Sequence, residues 1–143
     1  YTRDLITQFK ASGYLLFAIS GSQQEITSKL GAYYGFDEVI GSTYEVAEGY
    51  FTGNATIPSV VGKGELLKGL VQKHNATWDN SVAVGDTMSD AEMLRLVTHA
   101  IAFNPNRELY AEAQRNRWKI VVERKNVVYE LTPDEDGNYC LSA

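Results

Sequence analysis

Two carboxylates four residues apart, Asp86 and Asp90, follow a short apolar run in the stretch SVAVGDTMSDAEML, residues 81–94. Val82-Ala83-Val84 reads as a buried parallel strand, Gly85 ends it, and Ala91-Glu92-Met93-Leu94 is helix-forming. A strand that runs through an acidic loop into a helix delivers its carboxylates to the C-terminal edge of a sheet, where open α/β sheets bind ligands. Hard oxygen donors there suit Mg²⁺, which takes one or two carboxylates and leaves its other positions to water and phosphate. Two further groups fit the same chemistry. Ser20-Gly21-Ser22 caps a second apolar run, and a hydroxyl beside backbone N–H groups at a helix start makes a phosphate cradle. Lys63, between Gly62 and Gly64 at the opening of another helix, brings a compact positive charge to phosphate oxygens. Cradle, lysine and carboxylates are together the parts of a phosphoryl-transfer site, in which positioning and charge neutralisation dominate.

Each feature also has a plainer reading. Asp86 and Asp90 suit any helix start, where the dipole favours acids. Lys63 suits a solvated surface, and Ser20 is a good N-cap, a role compatible with phosphate binding. His74 and His99 stand apart from any cysteine or carboxylate cluster and read as structural or exposed. Trp78, Trp118 and the nine tyrosines read as packing. Arg115, Arg117, Lys119, Arg124 and Lys125 read as a solvated basic face, and Asp134-Glu135-Asp136-Gly137, after Thr132-Pro133, as a hairpin turn.

The elements that must position these groups alternate. Residues 2–12 read as a helix with Leu5, Ile6 and Phe9 on one side, stopped by Gly13. Residues 14–19 form an apolar strand, residues 23–34 a helix stopped by Gly35, and Val39-Ile40 a short strand. Residues 44–57 alternate loosely around Glu48-Gly49 and Gly53-Asn54, which implies a β-hairpin. A helix from Gly62 carries Leu66, Leu67, Leu70 and Val71. After the acidic loop a helix reaches about Leu96, residues 100–103 form a strand, 107–116 a helix, and Ile120-Val121-Val122 the last strand. Alternating strands and helices imply an α/β fold with a parallel sheet.

Bulk properties narrow the partners. A chain of 143 residues with net charge −5 is one domain or most of one, and its acidity argues against nucleic acid. No apolar run approaches the roughly 20 residues of a membrane span. The opening YTRDLITQFK reads as helix and not as a signal peptide. Cys140 is a single cysteine, which fits a reducing compartment and a cytoplasmic location. On that footing the triplets at Asn54 and Asn75 are chance glycosylation matches.

In order, ISGS, GKGE and GDTMSD resemble motifs II, III and IV of the haloacid dehalogenase (HAD) superfamily, in the form of its phosphoserine-phosphatase-like branch. The likeness runs from about Gly13 to Leu131. It implies a Rossmann-like three-layer core with a mostly parallel sheet, plus a small β-hairpin. Residues 1–12 would be the exit segment of a cap, 13–131 the core and 132–143 a C-terminal tail. By the resemblance, Ser20 and the Gly21 N–H bind phosphate, and Lys63 neutralises phosphate and nucleophile. Asp86 is a Mg²⁺ ligand. Asp90 belongs to the metal and catalytic group, orienting a metal water or Lys63. Ser89 takes the phosphate-contact position where close relatives often have Asn.

The family's nucleophile lies in motif I, a strand ending in DxDx(T/V) that precedes motif II. Its first aspartate forms the aspartyl-phosphate and its second acts as general acid and base. No such motif precedes Ser20 here, where Asp4 is a lone helical acid. The motif I strand is central in the family's sheet, between the strands of motifs II and IV, so two inner strand edges would stand unpaired. The expectation is therefore the C-terminal core portion of a Mg²⁺-dependent phosphatase acting on a small phosphorylated metabolite. Alone it would be inactive, and a missing N-terminal segment or a second chain would fill the central slot. The rival is a non-catalytic HAD-like binding or assembly module, for which Asp86→Ala would change neither Mg²⁺ affinity nor activity. A nucleotide-binding α/β domain lacks support, since there is no glycine-rich fingerprint or P-loop.

Overall fold

A run of apolar residues from Phe17 onward and a helix stopped by glycine generate the first βα step of the chain. The computed structural model describes residues 1–142. It divides into two units, Tyr1–Ala76 and Thr77–Ala143.

In the first unit, helix α1 (Thr2–Ala11) precedes strand β1 (Phe17–Gln23), helix α2 (Gln24–Tyr34), strand β2 (Glu38–Ala47) and strand β3 (Tyr50–Thr56). Helices α3 (Pro58–Val61) and α4 (Lys63–Lys73) follow. Gly35 closes α2 in the left-handed conformation at φ 71°, and the Phe36 N–H reaches back to the Gly31 carbonyl. β1 and β2 pair in parallel, and β2 and β3 antiparallel. Glu48 and Gly49, at φ 53° and 84°, make the hairpin turn, since two positive φ values match the twist of the flanking strands.

The second unit runs β4 (Val82–Gly85), a 3-10 turn (Met88–Asp90), α5 (Ala91–Leu94), β5 (His99–Phe103) and α6 (Arg107–Asn116). Strands β6 (Lys119–Arg124), β7 (Val127–Pro133) and β8 (Tyr139–Leu141) complete it. Its sheet has the order β4-β5-β6-β7-β8, parallel through β6 and antiparallel beyond. Ala91, Leu94, Ala100, Ala102, Leu109, Ala113 and Ile120 form its core, with Trp118 and Tyr139 packed against it. The first unit, by contrast, leaves Ile26, Leu30, Tyr33, Tyr44, Val46, Tyr50 and Phe51 exposed, and buries Leu70 and Pro58.

The α/β class stands, with mixed sheets. Several elements differ from the sequence reading. Ser20-Gly21-Ser22 does not follow the strand but lies inside β1, because the chain continues pairing to Gln23↔Ser42. The short strand at Val39 and the hairpin arm from Tyr44 are one strand, β2, since nothing between them breaks the extended backbone. The helix expected to reach Leu96 ends at Leu94. Ile120-Val121-Val122 is not the last strand, and residues 132–143 are not a tail. β7 turns back on β6, and β8 pairs with β7 through Leu131↔Leu141 and Thr132↔Cys140. The turn between them is the expected one: the Asp134 carboxylate accepts the Asn138 N–H at 2.7 Å, and the Gly137 N–H donates to the Asp134 carbonyl. Among the described residues, β1 is an edge of its sheet and β4 an edge of the other.

Candidate functional site

The acidic loop after β4 is built by Asp90. Its side chain is buried, and Oδ2 accepts the N–H of Asp86 at 3.0 Å, the N–H of Thr87 at 3.1 Å and the Thr87 hydroxyl at 3.3 Å. Thr87 and Asp90 form a reciprocal capping box around the 3-10 turn, a Thr-x-x-acid pattern that the sequence carries openly. Gly85 sits so close to Asp90 that a Cβ there would collide with the Asp90 side chain. The Asp86 carbonyl accepts the N–H of Asn106, whose own side chain caps α6 by accepting the Leu109 N–H at 2.9 Å. The Asp86 backbone is thus held from both sides while its side chain stays exposed. The Ser89 hydroxyl, exposed, shares a 2.9 Å hydrogen bond with Thr87 Oγ1.

Ser20 and Gly21 occupy a bulge. Between the pairs Ile19↔Ile40 and Gln23↔Ser42, β1 advances four residues while β2 advances two. Bulges of this sort re-aim side chains next to active sites. The Ser22 N–H donates to Ser20 Oγ at 3.1 Å, and the buried Ser42 hydroxyl donates to the Gly21 carbonyl at 2.8 Å. Gln24 ties the bulge to β2: its Oε1 accepts the Gly41 N–H at 2.5 Å and its Nε2 donates to the Val39 carbonyl at 3.2 Å. Gly41 is obligatory there, since a Cβ would meet Gln24 Cα and Ser22 O at 2.8 Å. Lys63 is the first residue of α4 and is 8% exposed, so the solvated-lysine reading does not describe it.

Ser20, Gly21 and Lys63 therefore belong to the first unit, and Asp86, Ser89 and Asp90 share one loop of the second. Thr87, Asn106, Ser42 and Gln24 escaped the sequence reading. Of these Thr87 and, as the N-cap of α6, Asn106 carry a local signal, whereas Ser42 and Gln24 act through partners 15 to 21 residues away in sequence. His99, Arg124 and Lys125 are exposed, whereas His74, Arg115, Arg117 and Lys119 are each engaged by a partner. His74 Nε2 lies 2.6 Å from the Glu38 carboxylate, which also accepts from Lys73; these two hydrogen bonds hold the Glu38 carboxyl below its ordinary value. Arg115 pairs with Glu112, Lys119 pairs with Glu130, and Arg117 donates to carbonyls of the β7–β8 turn.

For a divalent metal, the donor set of this chain is partial. Among the described residues no group of three or more His, Cys, Asp or Glu side chains could hold a metal ion. Mg²⁺ characteristically takes only one or two protein carboxylates. The exposed Asp86 carboxylate on a clamped backbone fits one such position, and Asp90 Oδ2 is already engaged by the loop.

The family model for haloacid dehalogenase-like hydrolases matches residues 2–95, and the chain belongs to that family. Among curated proteins it is 33% identical over 113 residues to phosphoserine phosphatase of Idiomarina loihiensis, covering 78% of this chain and 51% of that protein. It is 32% identical over 104 residues to phosphoserine phosphatase of Streptomyces coelicolor, covering 71% of this chain and 25% of that one. The chain thus spans a quarter to about half of the length of these relatives. A substrate-bound phosphoserine phosphatase structure superposes with a TM-score of 0.67 at 25% identity, over 77% of this chain and 53% of that one. A phospho-aspartyl intermediate analogue of phosphoserine phosphatase shares the fold at a TM-score of 0.71 and 24% identity, over 86% of this chain and 57% of that one. These likenesses place the chain in the phosphoserine-phosphatase-like branch.

Proposed function

We propose that this chain is the phosphate-binding and metal-loop portion of a Mg²⁺-dependent phosphomonoester hydrolase acting on a small phosphorylated metabolite in the cytoplasm. The observation that carries the reading is the loop 85–90: Asp86 stands exposed on a backbone fixed by the Asp90 carboxylate and the Asn106 N–H. A clamp of this kind holds a carboxylate in place before any ligand arrives, which is what metal and phosphate sites require. Asp86 would hold the metal, which when bound supplies charge neutralisation at the phosphoryl oxygens. Ser20 donates its hydroxyl, and the Gly21 N–H assists. Ser89 adds a hydroxyl beside the acidic loop. Lys63, held at the start of α4, balances the negative charge of phosphate and nucleophile. Asp90 acts through the loop, keeping the Asp86 and Thr87 peptides turned inward.

The reaction needs an attacking carboxylate, and no DxDx(T/V) segment occurs in these residues. In the parent reaction its oxygen would bond to phosphorus as the ester P–O bond breaks, the second aspartate of the same motif giving its proton to the leaving alcohol and regaining one from the water of the next step. Water would then attack phosphorus, releasing phosphate and restoring the carboxylate. We assign that carboxylate to a further segment or a second chain. The exposed apolar side chains of the first unit support a missing neighbour. Residues 1–12 serve as the segment returning from a cap.

The test is Mg²⁺-dependent hydrolysis of p-nitrophenyl phosphate by this chain, run beside Mg²⁺ titration of its amide spectrum. The reading expects no turnover, but Mg²⁺-dependent shifts at Asp86 and Thr87 that vanish in Asp86→Asn. Turnover that Asp86→Asn abolishes would establish the phosphatase chemistry and overturn the missing nucleophile. Absence of both turnover and Mg²⁺ shifts would leave the non-catalytic module as the better account.

A further inference from the structure

Ser42 is 1% exposed, in the middle of β2, yet its hydroxyl is not an idle polar group in the interior. It donates to the Gly21 carbonyl, 21 positions earlier, at 2.8 Å. That carbonyl belongs to the same rigid peptide plane as the Ser22 N–H. The Ser22 N–H in turn donates to Ser20 Oγ at 3.1 Å. One hydrogen bond thus fixes a peptide, and the peptide fixes a side chain.

The consequence follows from what a hydroxyl has to offer: one proton to donate and two lone pairs. The Ser22 N–H takes a lone pair of Ser20 and cannot accept the proton. Among the described residues no protein acceptor for that proton is found, while Ser20 is only half-buried. The arrangement leaves Ser20 with a fixed oxygen and an O–H available to an incoming acceptor. The bulge makes this possible, because a regular strand would hold the Gly21–Ser22 peptide in the ladder to β2. Gly41 and Gln24 close the space behind it, and with no room at Gly41 for a Cβ, Ser42 can approach Gly21 directly.

We propose that Ser42 is a positioning residue for phosphate binding, orienting the Gly21–Ser22 peptide so that Ser20 presents its hydroxyl proton to a phosphate oxygen. This rests on the assignment of Ser20 as a phosphate donor. Ser42 itself touches no ligand; it acts through the peptide.

The probe is inorganic phosphate, titrated into the ¹⁵N-labelled chain in the presence of Mg²⁺ and followed at the Ser22 amide. Wild type, Ser20→Ala, Ser42→Ala and Ser42→Thr are compared, with exchange of the Ser22 amide measured without ligand. The expected result is a phosphate-dependent shift at Ser22, lost in Ser20→Ala. In Ser42→Ala it should be weakened about five-fold, the factor that one ordinary hydrogen bond carries. Ser42→Thr, which restores the hydroxyl, should recover it. Ser22 amide exchange should quicken about ten-fold in Ser42→Ala while amides in the middle of α2 keep their wild-type rates, a difference that general destabilisation would not produce. Unchanged phosphate affinity in Ser42→Ala, with Ser20→Ala impaired, overturns the role of Ser42 and leaves Ser20 intact. A loss that Ser42→Thr does not recover assigns the effect to packing and also overturns it. No shift in wild type, or equal shifts in Ser20→Ala, overturns the assignment of Ser20 and this inference with it.

Discussion

Asp90 and Asp86 are both acids of one motif, yet Asp90 is buried and Asp86 exposed, and substitution separates the two. Asp90 is 4% exposed and its Oδ2 accepts two backbone N–H groups and one hydroxyl. Asp90→Ala would leave those donors without their acceptor in a partly buried loop. A hydrogen bond to a charged group contributes about 1.5–3 kcal/mol, and three sharing one oxygen do not add fully. A loss of about 3 kcal/mol is the resulting figure. Asp86→Ala removes an exposed side chain and keeps the Asp90 clamp, so it should cost less than Asp90→Ala. Both tryptophans, Trp78 and Trp118, lie in the unit that holds this loop, so urea unfolding followed by their fluorescence reads the relevant transition. Asp90→Asn, which keeps an acceptor oxygen but loses the charge, should fall between the two. If Asp90→Ala unfolds at the wild-type urea midpoint, or Asp86→Ala proves the more destabilising, the clamp argument is wrong and both acids belong to the ligand site alone.

Three further outcomes follow from the geometry. Gly41→Ala forces a Cβ against Gln24 Cα and Ser22 O at 2.8 Å, both backbone, so it should destabilise the first unit by about 2 kcal/mol; thermal unfolding followed by circular dichroism checks this. Tyr139→Phe removes a hydroxyl whose one proton is shared between the Ala113 and Trp118 carbonyls, at 2.9 and 2.7 Å, a loss of about 1 kcal/mol read by the same urea titration. Hydrogen bonding from Arg95, and then from Asn116, holds the Glu112 carboxyl below its usual 4.5, with the Arg95 and Arg115 charges adding to the effect. A depressed acid stabilises the fold above its unfolded pKa and loses that contribution as pH falls through the folded value. The wild-type urea midpoint should therefore drop more steeply below pH 4.5 than that of Glu112→Gln, and parallel curves would remove Glu112 from the acid response.

Much of the fold was legible because its signals are local. Periodicity placed α6 at Arg107–Asn116, and glycine placed the stops of α1 and α2. Asn-x-x capping, the Glu48-Gly49 turn and the Asp134–Gly137 turn are likewise set by residues within a few positions of one another. The proposed site residues rest on the same kind of signal: Asp86, Asp90, Lys63 and Ser20 stand out by type, spacing and the strand or helix beside them. Other features depend on strands meeting across long sequence separations. That β1 runs on through Ser20-Gly21-Ser22 is decided by pairing with β2, which no local pattern reports. The strands β7 and β8 exist because β6 offers them an edge, and the exposed sequence of β7 carries little alternation of its own. The sequence determined which groups are present and the order in which they occur. Tertiary structure alone decided that the Asp86 carbonyl meets the Asn106 N–H and that Ser42 reaches Gly21. Those outcomes rest on backbone N–H and C=O groups brought within hydrogen-bonding distance, and every residue carries the same ones.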